Sequence, residues 1–237
     1  MSPPLSTRIV YRFHLQSGVE EIALEFDTAT FALLTLPSQP APEWAHLDFW
    51  KCGHCPLSSA QTPLCPFAYA LSGFVKGFSH LYSYEEVETE VLTESRTIVA
   101  KKPLQLGIAS VVGLIGATSG CPHLSFYRPM ARFHLPFAED SETVYRVLSM
   151  YLLGRYLTDA ATTPGNTAIA HLTQLIEAVG TVNEAMAERI RAGFKKDAVV
   201  NAIVILDCLA QMVPLAFEKN LNDLRKYFQE FPIIYRL

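Results

Sequence analysis

The stretch from Arg8 to Phe26, RIVYRFHLQSGVEEIALEF, sets the fold of the N-terminal region. Apolar and polar residues alternate in it on both sides of the tripeptide Gln16-Ser17-Gly18. The alternating apolar residues are Ile9, Tyr11, Phe13, Leu15, Ile22, Leu24 and Phe26. A period of two residues is typical of a strand with one buried face. The stretch therefore predicts an antiparallel β-hairpin that turns at the tripeptide.

A second hairpin is predicted between Tyr84 and Val99. Apolar or small residues alternate here with glutamates, which would form a solvated face of the sheet. The two sets are Val87, Thr89 and Val91 on one side and Glu86, Glu88 and Glu90 on the other. A break at Thr93 to Arg96 divides this region into two strands.

The chain becomes mainly helical after Lys102. The window from Leu104 to Thr118, LQLGIASVVGLIGAT, has 15 residues, whereas a bilayer span needs about 20. We interpret it as a buried helix rather than a membrane span. Its glycines, Gly107, Gly113 and Gly116, are poor helix formers, so they indicate close packing against neighbouring backbone.

Further helices follow from apolar residues at helical spacing. One is predicted from Pro63 to His80, one from an N-cap at Ser141 to about Leu157, and one from Thr167 to Phe194. The inward stripe of the second is Val144, Leu148, Tyr151 and Leu152. The sequence thus predicts an α+β fold, with a small N-terminal antiparallel sheet packed on a larger helical body. We expect one domain over residues 1–237, with hairpins and the cysteine segment in 1–100 and helices in 101–237.

Composition excludes several classes of protein. Half of the residues are hydrophobic, 18% are charged and the net charge is −4, so the chain can form a sizeable core and lacks the basic surface of a nucleic-acid binder. The densest basic patch, Arg189, Arg191 and Lys195-Lys196, is interpreted as a solvated helix face. No basic segment followed by an apolar one opens the chain, which favours the cytoplasm over secretion and membranes.

The segment Phe49–Leu57, FWKCGHCPL, poses the main chemical question. CGHC after a tryptophan is found in disulfide isomerases, but a thioredoxin-type site needs a buried strand before it and a long helix after it. Here the proline-rich connection from Leu36 to Glu43 precedes the motif, and Pro56 follows it directly. A CxxC thiol-redox protein is therefore a minor alternative.

A shared metal site uses more of the sequence. Cys52 and Cys55 have the spacing that lets two thiolates bind one ion, Cys65 follows after nine residues, and Cys121 lies in SGCPH. Four thiolates complete a zinc site or hold an iron–sulfur cluster. Cys208 lies in an apolar helical pattern and is interpreted as a core residue.

Two further observations bear on this site. Cys55, Cys65 and Cys121 each precede a proline, which fixes the backbone beside a ligand. His54 and His123 could substitute for a thiolate, because imidazole also binds zinc. The sequence favours zinc as the cofactor, with an iron–sulfur cluster or no metal as alternatives.

The segment Pro122 to Ala138, PHLSFYRPMARFHLPFA, is the second candidate site. Arg128, Arg132 and His134 alternate there with aromatic residues and prolines, and arginines beside aromatic rings can bind an anionic ligand. The alternative is a connecting segment that is only structural. No nucleotide-binding, protease or hydrolase motif is present, so the sequence predicts no particular reaction.

Asn183, Asn201 and Asp207 lie in otherwise apolar helical patterns. Buried polar side chains need hydrogen-bond partners. We expect these residues to bond to one another or to the segment from Arg128 to His134.

CPL after the CxxC, SGCPHL, PMARFHLPFA and the following SMYLL together resemble a family of bacterial proteins with no established activity. The resemblance extends from the N-terminal hairpin to the helices around Asp207. It implies a single evolutionary unit and a bacterial cytosolic setting, and it implies no reaction, ligand or partner.

The sequence leads to three hypotheses. The first is an intracellular metal-binding protein with a structural or sensing role, in which Cys52, Cys55, Cys65 and Cys121 join the N-terminal segment to helices that present a face to a protein partner. The second is an enzyme or ligand-binding protein with a pocket at Arg128, Arg132 and His134. The third is the CxxC thiol-redox protein.

Overall fold

The computed structural model describes residues 5–78, 81–158, 165–193, 199–201, 203–204, 224 and 226–229. It consists of a four-stranded antiparallel sheet, formed by the N-terminal half of the chain, and a larger set of helices. The predicted α+β fold is confirmed. Buried side chains from the sheet and from the helices form one continuous cluster.

The sheet consists of two hairpins. The first lies within two residues of its predicted bounds, and the second continues to Pro103, beyond the predicted end at Val99. Its strands are β1 Ser6–Leu15, β2 Gly18–Asp27, β3 Glu86–Leu92 and β4 Thr97–Pro103. The order across the sheet is β2-β1-β3-β4, and each neighbouring pair is antiparallel. The apolar residues of the alternating pattern lie on the buried face of the sheet, where Tyr11, Phe13 and Phe26 have no exposed surface.

Six α-helices lie within the described residues. They are α1 Pro66–Ser72, α2 Val75–Phe78, α3 Leu104–Thr118, α4 Arg128–Arg132, α5 Asp140–Leu157 and α6 Gly165–Gly193. Short 3-10 helices occur at Glu43–Ala45, Leu124–Tyr127 and Lys226–Phe228. The single helix predicted from Pro63 to His80 is wrong in this detail, since Gly73 and Phe74 separate α1 from α2.

Helix α3 has the bounds that its apolar window predicts, and it packs directly on the sheet. A Cβ atom on Gly107 would lie 2.7 Å from the Phe13 ring and 3.2 Å from the Thr89 hydroxyl. One on Gly116 would lie 3.0 Å from Leu124. These glycines allow the close approach that the sequence indicates. No described helix is both long enough and apolar enough to span a membrane.

Two details of α5 differ from prediction. The N-cap is Glu139 rather than Ser141, because Glu139 and Glu142 form a reciprocal capping box that satisfies two backbone N–H groups. Leu152 is 57% exposed rather than buried. The other three residues of its predicted stripe are buried.

Candidate metal centre

Three chain segments supply the four candidate cysteines. Cys52 and Cys55 lie in a tight turn in which the Cys55 N–H donates to the Cys52 carbonyl at 3.0 Å. Cys65 is the N-cap of α1, and its N–H donates to the Ala45 carbonyl at 2.9 Å. Cys121 lies three residues after the end of α3. Secondary structure therefore fixes Cys65 and Cys121, whereas Cys52 and Cys55 are held by a loop.

The four thiols lie close enough to influence one another. Burial, followed by Coulombic repulsion from Cys65, Cys121 and Cys55, raises the pKa of Cys52 to about 11. Such mutual influence requires that residues up to 69 positions apart in sequence approach in space. Without a metal, the Cys52 thiol therefore stays protonated at neutral pH.

Burial and nearby backbone N–H groups act on the Cys121 thiol in opposite directions. Burial raises its pKa most, and the N–H groups of Leu124 and His123 partly oppose this shift. N–H groups near a sulfur stabilise its thiolate form. The residue is only 8% exposed, so water contributes little to that stabilisation.

The spacing of the sulfurs differs from that of a single-ion site. A metal ion needs at least three ligand atoms of His, Cys, Asp or Glu close together. Among the described residues, one such group has its ligand atoms within 4.8 Å of one another: His14, Glu88 and Glu90, on the exposed face of the sheet. No three of the four cysteine sulfurs are therefore this close. Thiolates around one zinc ion would lie roughly 3.8 Å apart, given a Zn–S bond of about 2.3 Å and tetrahedral geometry.

One side of the cysteine cluster is open to solvent. Cys52 and Cys55 are half-buried, in contrast to the buried Cys65 and Cys121. Cys52 lines a surface cavity of about 460 Å³ together with Trp50, whose ring is 57% exposed. Small molecules can therefore reach the cluster from the side of the CGHC loop.

A buried guanidinium lies beside these thiols. Arg189 on α6 is only 1% exposed. It donates to the carbonyls of Trp44 at 2.7 Å, His46 at 2.6 Å and Leu47 at 2.8 Å. These bonds attach α6 to the segment that leads into the CGHC loop.

Among the described residues, the acidic groups that influence Arg189 are cysteines. Burial lowers the pKa of its guanidinium, and Cys65, Cys52 and Cys55 oppose this shift. Ion pairs within the described residues use other basic groups, those of Arg8, Arg12, His14 and Arg191. Since buried charges are normally paired, the thiols are the available counterions.

Arg189 is the functional residue that sequence reasoning missed. The prediction of a solvated helix face is wrong for Arg189, which is buried. It is confirmed for Arg191, which is exposed. Lys195 and Lys196 lie outside the described residues. A signal was present, because Arg189 falls three residues after Met186 on the buried stripe of α6.

His54 and His123 stack beside the cysteines, with ring centroids 3.9 Å apart. The Nε2 of His54 bonds to the Ala178 carbonyl at 3.0 Å, and that of His123 bonds to the His54 carbonyl at 3.2 Å. Burial, followed by the proximity of His123, lowers the pKa of His54. The two rings thus link the loops that carry Cys55 and Cys121, and they use Nε2 for this purpose.

The structure separates the members of the second candidate site. His134 lines a cavity between α3 and α5, whereas Arg128 and Arg132 lie outside the described wall of that cavity. The guanidinium of Arg132 lies 5.5 Å from the Phe31 ring centroid. The arginine at the cavity is Arg146, which the sequence did not single out.

The surroundings of the CxxC differ from those of a thioredoxin-type site. Within the described residues no strand leads into Cys52, and the next helix, α1, begins only at Pro66. A helix N-terminus that would lower the thiol pKa is missing at this motif. The remaining cysteine, Cys208, lies outside the described residues, as does Asp207.

A family described as Domain of unknown function (DUF6901) matches residues 9–229. Neither the curated proteins nor the solved structures contain a match to the chain.

Proposed function

The chain belongs to the DUF6901 family, and from its own residues we propose that Cys52, Cys55, Cys65 and Cys121 bind a metal centre through four thiolates. The centre joins the CGHC loop, the start of α1 and the end of α3. Its role is structural, because these segments otherwise meet without a covalent link. The half-buried Cys52 and Cys55 also make the centre accessible to oxidants, which suits a sensing role.

The observation that carries this proposal is Arg189. Protonated thiols would leave its buried guanidinium without a counterion, which is costly. Four thiolates around a divalent ion or a cluster leave a net negative charge. Binding of a metal therefore supplies the charge that the buried arginine lacks.

Burial raises the pKa of Cys121, and the backbone N–H groups of Leu124 and His123 oppose that shift, which supports a thiolate ligand there. The Nε2 atoms of His54 and His123 bond to backbone carbonyls. The Nδ1 of His54 is buried without a partner among the described residues, so His54 is the alternative ligand to one of the thiolates.

The spacing of the sulfurs favours an iron–sulfur cluster over zinc. A multinuclear cluster separates its thiolates by its own iron and sulfide atoms, whereas a single ion draws them together. The four sulfurs influence one another, yet no three of them lie within 4.8 Å. Free thiols of this kind persist in a reducing compartment, so the bacterial cytoplasm is part of the proposal.

The proposal is tested by metal and sulfide analysis and absorption spectroscopy of protein purified without oxygen. We expect about four iron atoms and a similar amount of sulfide per chain, with a brown chromophore. One zinc per chain would support the four-thiolate centre and reject the cluster. Metal-free protein with a readily formed Cys52–Cys55 disulfide would reject the centre in favour of the thiol-redox alternative.

A pair of matched variants assigns the ligands. Cys121→Ser removes a proposed ligand, and Cys208→Ser removes a cysteine outside the proposed site. We expect the first variant to lose most of its metal and the second to retain it. Equal metal content in both variants would show that Cys121 is not a ligand.

A further inference from the structure

A cavity of about 290 Å³ lies between α3, the segment 124–139, α5 and α6. Apolar side chains dominate its wall, including Leu106, Ala109, Ala117, Leu124, Met130 and Val179. Protein interiors seldom leave voids much larger than a water molecule. A cavity of this size approaches the lower end of small-molecule sites, about 300 Å³, so it is a candidate ligand site and not a packing defect.

Asn183 on α6 gives the first sign of a ligand. Its side chain is only 3% exposed, and it lines both this cavity and the surface cavity beside Cys52. Within the part of the chain that the structure describes, its amide has neither an acceptor for its N–H groups nor a donor for its oxygen. Amides in protein interiors are nearly always hydrogen-bonded, so an amide without a protein partner at the junction of two cavities indicates a partner that enters one of them. The expected bonds to Asn201 or to the segment Arg128–His134 are not formed, since Asn201 donates to Ser83 at 2.9 Å.

Arg146 on α5 gives the second sign. One of its terminal nitrogens donates to the Phe133 carbonyl at 2.7 Å and to the Met130 carbonyl at 3.1 Å. Its other N–H groups remain for a ligand, because a guanidinium has five. Burial lowers its pKa, and the nearby Glu142 opposes this shift.

The remaining polar groups of the wall determine which charge the cavity accepts. Lys102 is a second cation, and Glu139 is the one carboxylate among the described wall residues. His134 bonds to the Tyr11 hydroxyl, and its pKa is lowered to about 4 by burial and by Arg146. It is therefore neutral at pH 7. The wall is apolar with a net positive charge.

We propose that this cavity binds a small apolar carboxylate, whose charged group is held by Arg146 and to which the amide of Asn183 donates. The apolar wall buries the body of such a ligand, and a guanidinium binds carboxylates in bidentate geometry. The site contains none of the four cysteines, and among its described wall residues Asn183 alone also lines the surface cavity at Cys52. Its tests use the full chain in its metal-loaded form.

The first test compares octanoate with octan-1-ol by titration calorimetry. The two probes have the same chain length, and they differ in charge. We expect octanoate to bind about tenfold more tightly, since a charge-assisted bond distinguishes them. Equal affinities, or no binding of either probe, would overturn the proposal.

The second test compares Arg146→Gln with Lys102→Gln, which removes a like charge from the same wall. We expect Arg146→Gln to weaken octanoate binding about tenfold without affecting octan-1-ol, and Lys102→Gln to leave both unchanged. The opposite pattern would overturn the assignment to Arg146. If Arg146→Gln does not fold, Ala117→Leu tests whether the probes bind in this cavity. The larger side chain fills the cavity, so we expect the variant to bind neither probe. Unchanged binding would show that the probes bind elsewhere.

The third test separates a ligand contact from a structural role for Asn183. In Asn183→Leu we expect octanoate to bind about fivefold more weakly, while the ligand-free protein melts no lower than wild type because no internal bond is lost. A lower melting temperature together with unchanged octanoate affinity would assign Asn183 to the fold and remove it from the site.

Discussion

Arg146 and Arg189 lie on successive long helices and are held in the same way, yet they face different surroundings. Each donates to backbone carbonyls of an earlier segment, Arg146 to two and Arg189 to three. Arg189 then faces thiols that belong to the chain itself. Arg146 faces a cavity whose wall is mostly apolar.

A buried or half-buried cation can thus be balanced in two ways. Near Arg189 the counterions are built into the sequence and become charged when a metal binds. Near Arg146 they have to arrive with a ligand. The same anchoring by carbonyls therefore serves a permanent site in one region and an exchangeable site in the other.

The strongest challenge to this comparison is Arg189→Met. Three carbonyls lose their donor, and α6 loses its link to the segment before the CGHC loop. We expect a loss of about 3–5 kcal/mol in unfolding free energy, measured by chemical denaturation. The loss should be greater in metal-loaded than in metal-free protein, because only the former has charged thiolates. Arg191→Met, at an exposed position, should stay within about 0.5 kcal/mol of wild type.

Lowering the pH of metal-free protein tests the region around Arg146, because His134 in this region should then become protonated on unfolding. The pKa of His134 is about 4 in the folded protein, against an ordinary value of 6.5. Between these values the unfolded chain binds a proton that the folded chain does not, so stability falls as the pH falls from 6.5 to 4. We expect a loss of roughly 3 kcal/mol across this window.

The measurement is denaturation at several pH values. His134→Asn should remove this part of the pH dependence, and His14→Asn, on the exposed face of the sheet, should retain it. An identical pH dependence in wild type and His134→Asn would contradict the neutral, buried state of His134.

Arg146→Met should have a smaller effect than Arg189→Met. It breaks two bonds to carbonyls, those of Met130 and Phe133, and its side chain is only half-buried. We expect a loss of about 1–3 kcal/mol in ligand-free protein, and metal content should not change. A loss as large as that of Arg189→Met would mean that the two regions do not differ as described.

The smallest effect is expected for His54→Ala. The variant loses one bond to the Ala178 carbonyl and the stacking on His123, which we expect to cost about 1 kcal/mol. Because His54 is not a proposed ligand, the protein should still bind metal in full stoichiometry and release it faster to a chelator. Complete loss of metal would instead make His54 a ligand.

The sheet and the buried helix were predictable because short-range pattern determines them. The alternation from Ile9 to Phe26 and the apolar window of α3 each require burial that only one arrangement provides. The start of α5 was not predictable in this way, since Ser141 is the preferred N-cap by residue type and the reciprocal bonds between Glu139 and Glu142 override that preference.

The two arginines could not be assigned from pattern alone. Arg189 is buried because it bonds to a carbonyl 145 residues earlier, and no local signal encodes that contact. A cavity is likewise a property of how helices are spaced, so the sequence indicated His134 without Arg146. The cysteines were identified because ligand types and spacings are visible in sequence.

Both tryptophans of the chain, Trp44 and Trp50, lie near the thiol cluster. The carbonyl of Trp44 accepts a bond from Arg189, and Trp50 lines the surface cavity beside Cys52. Intrinsic indole emission therefore originates from this corner of the molecule alone. An iron chromophore at the cysteines would quench that emission, so loading and loss of the cluster can be followed in real time without any added label.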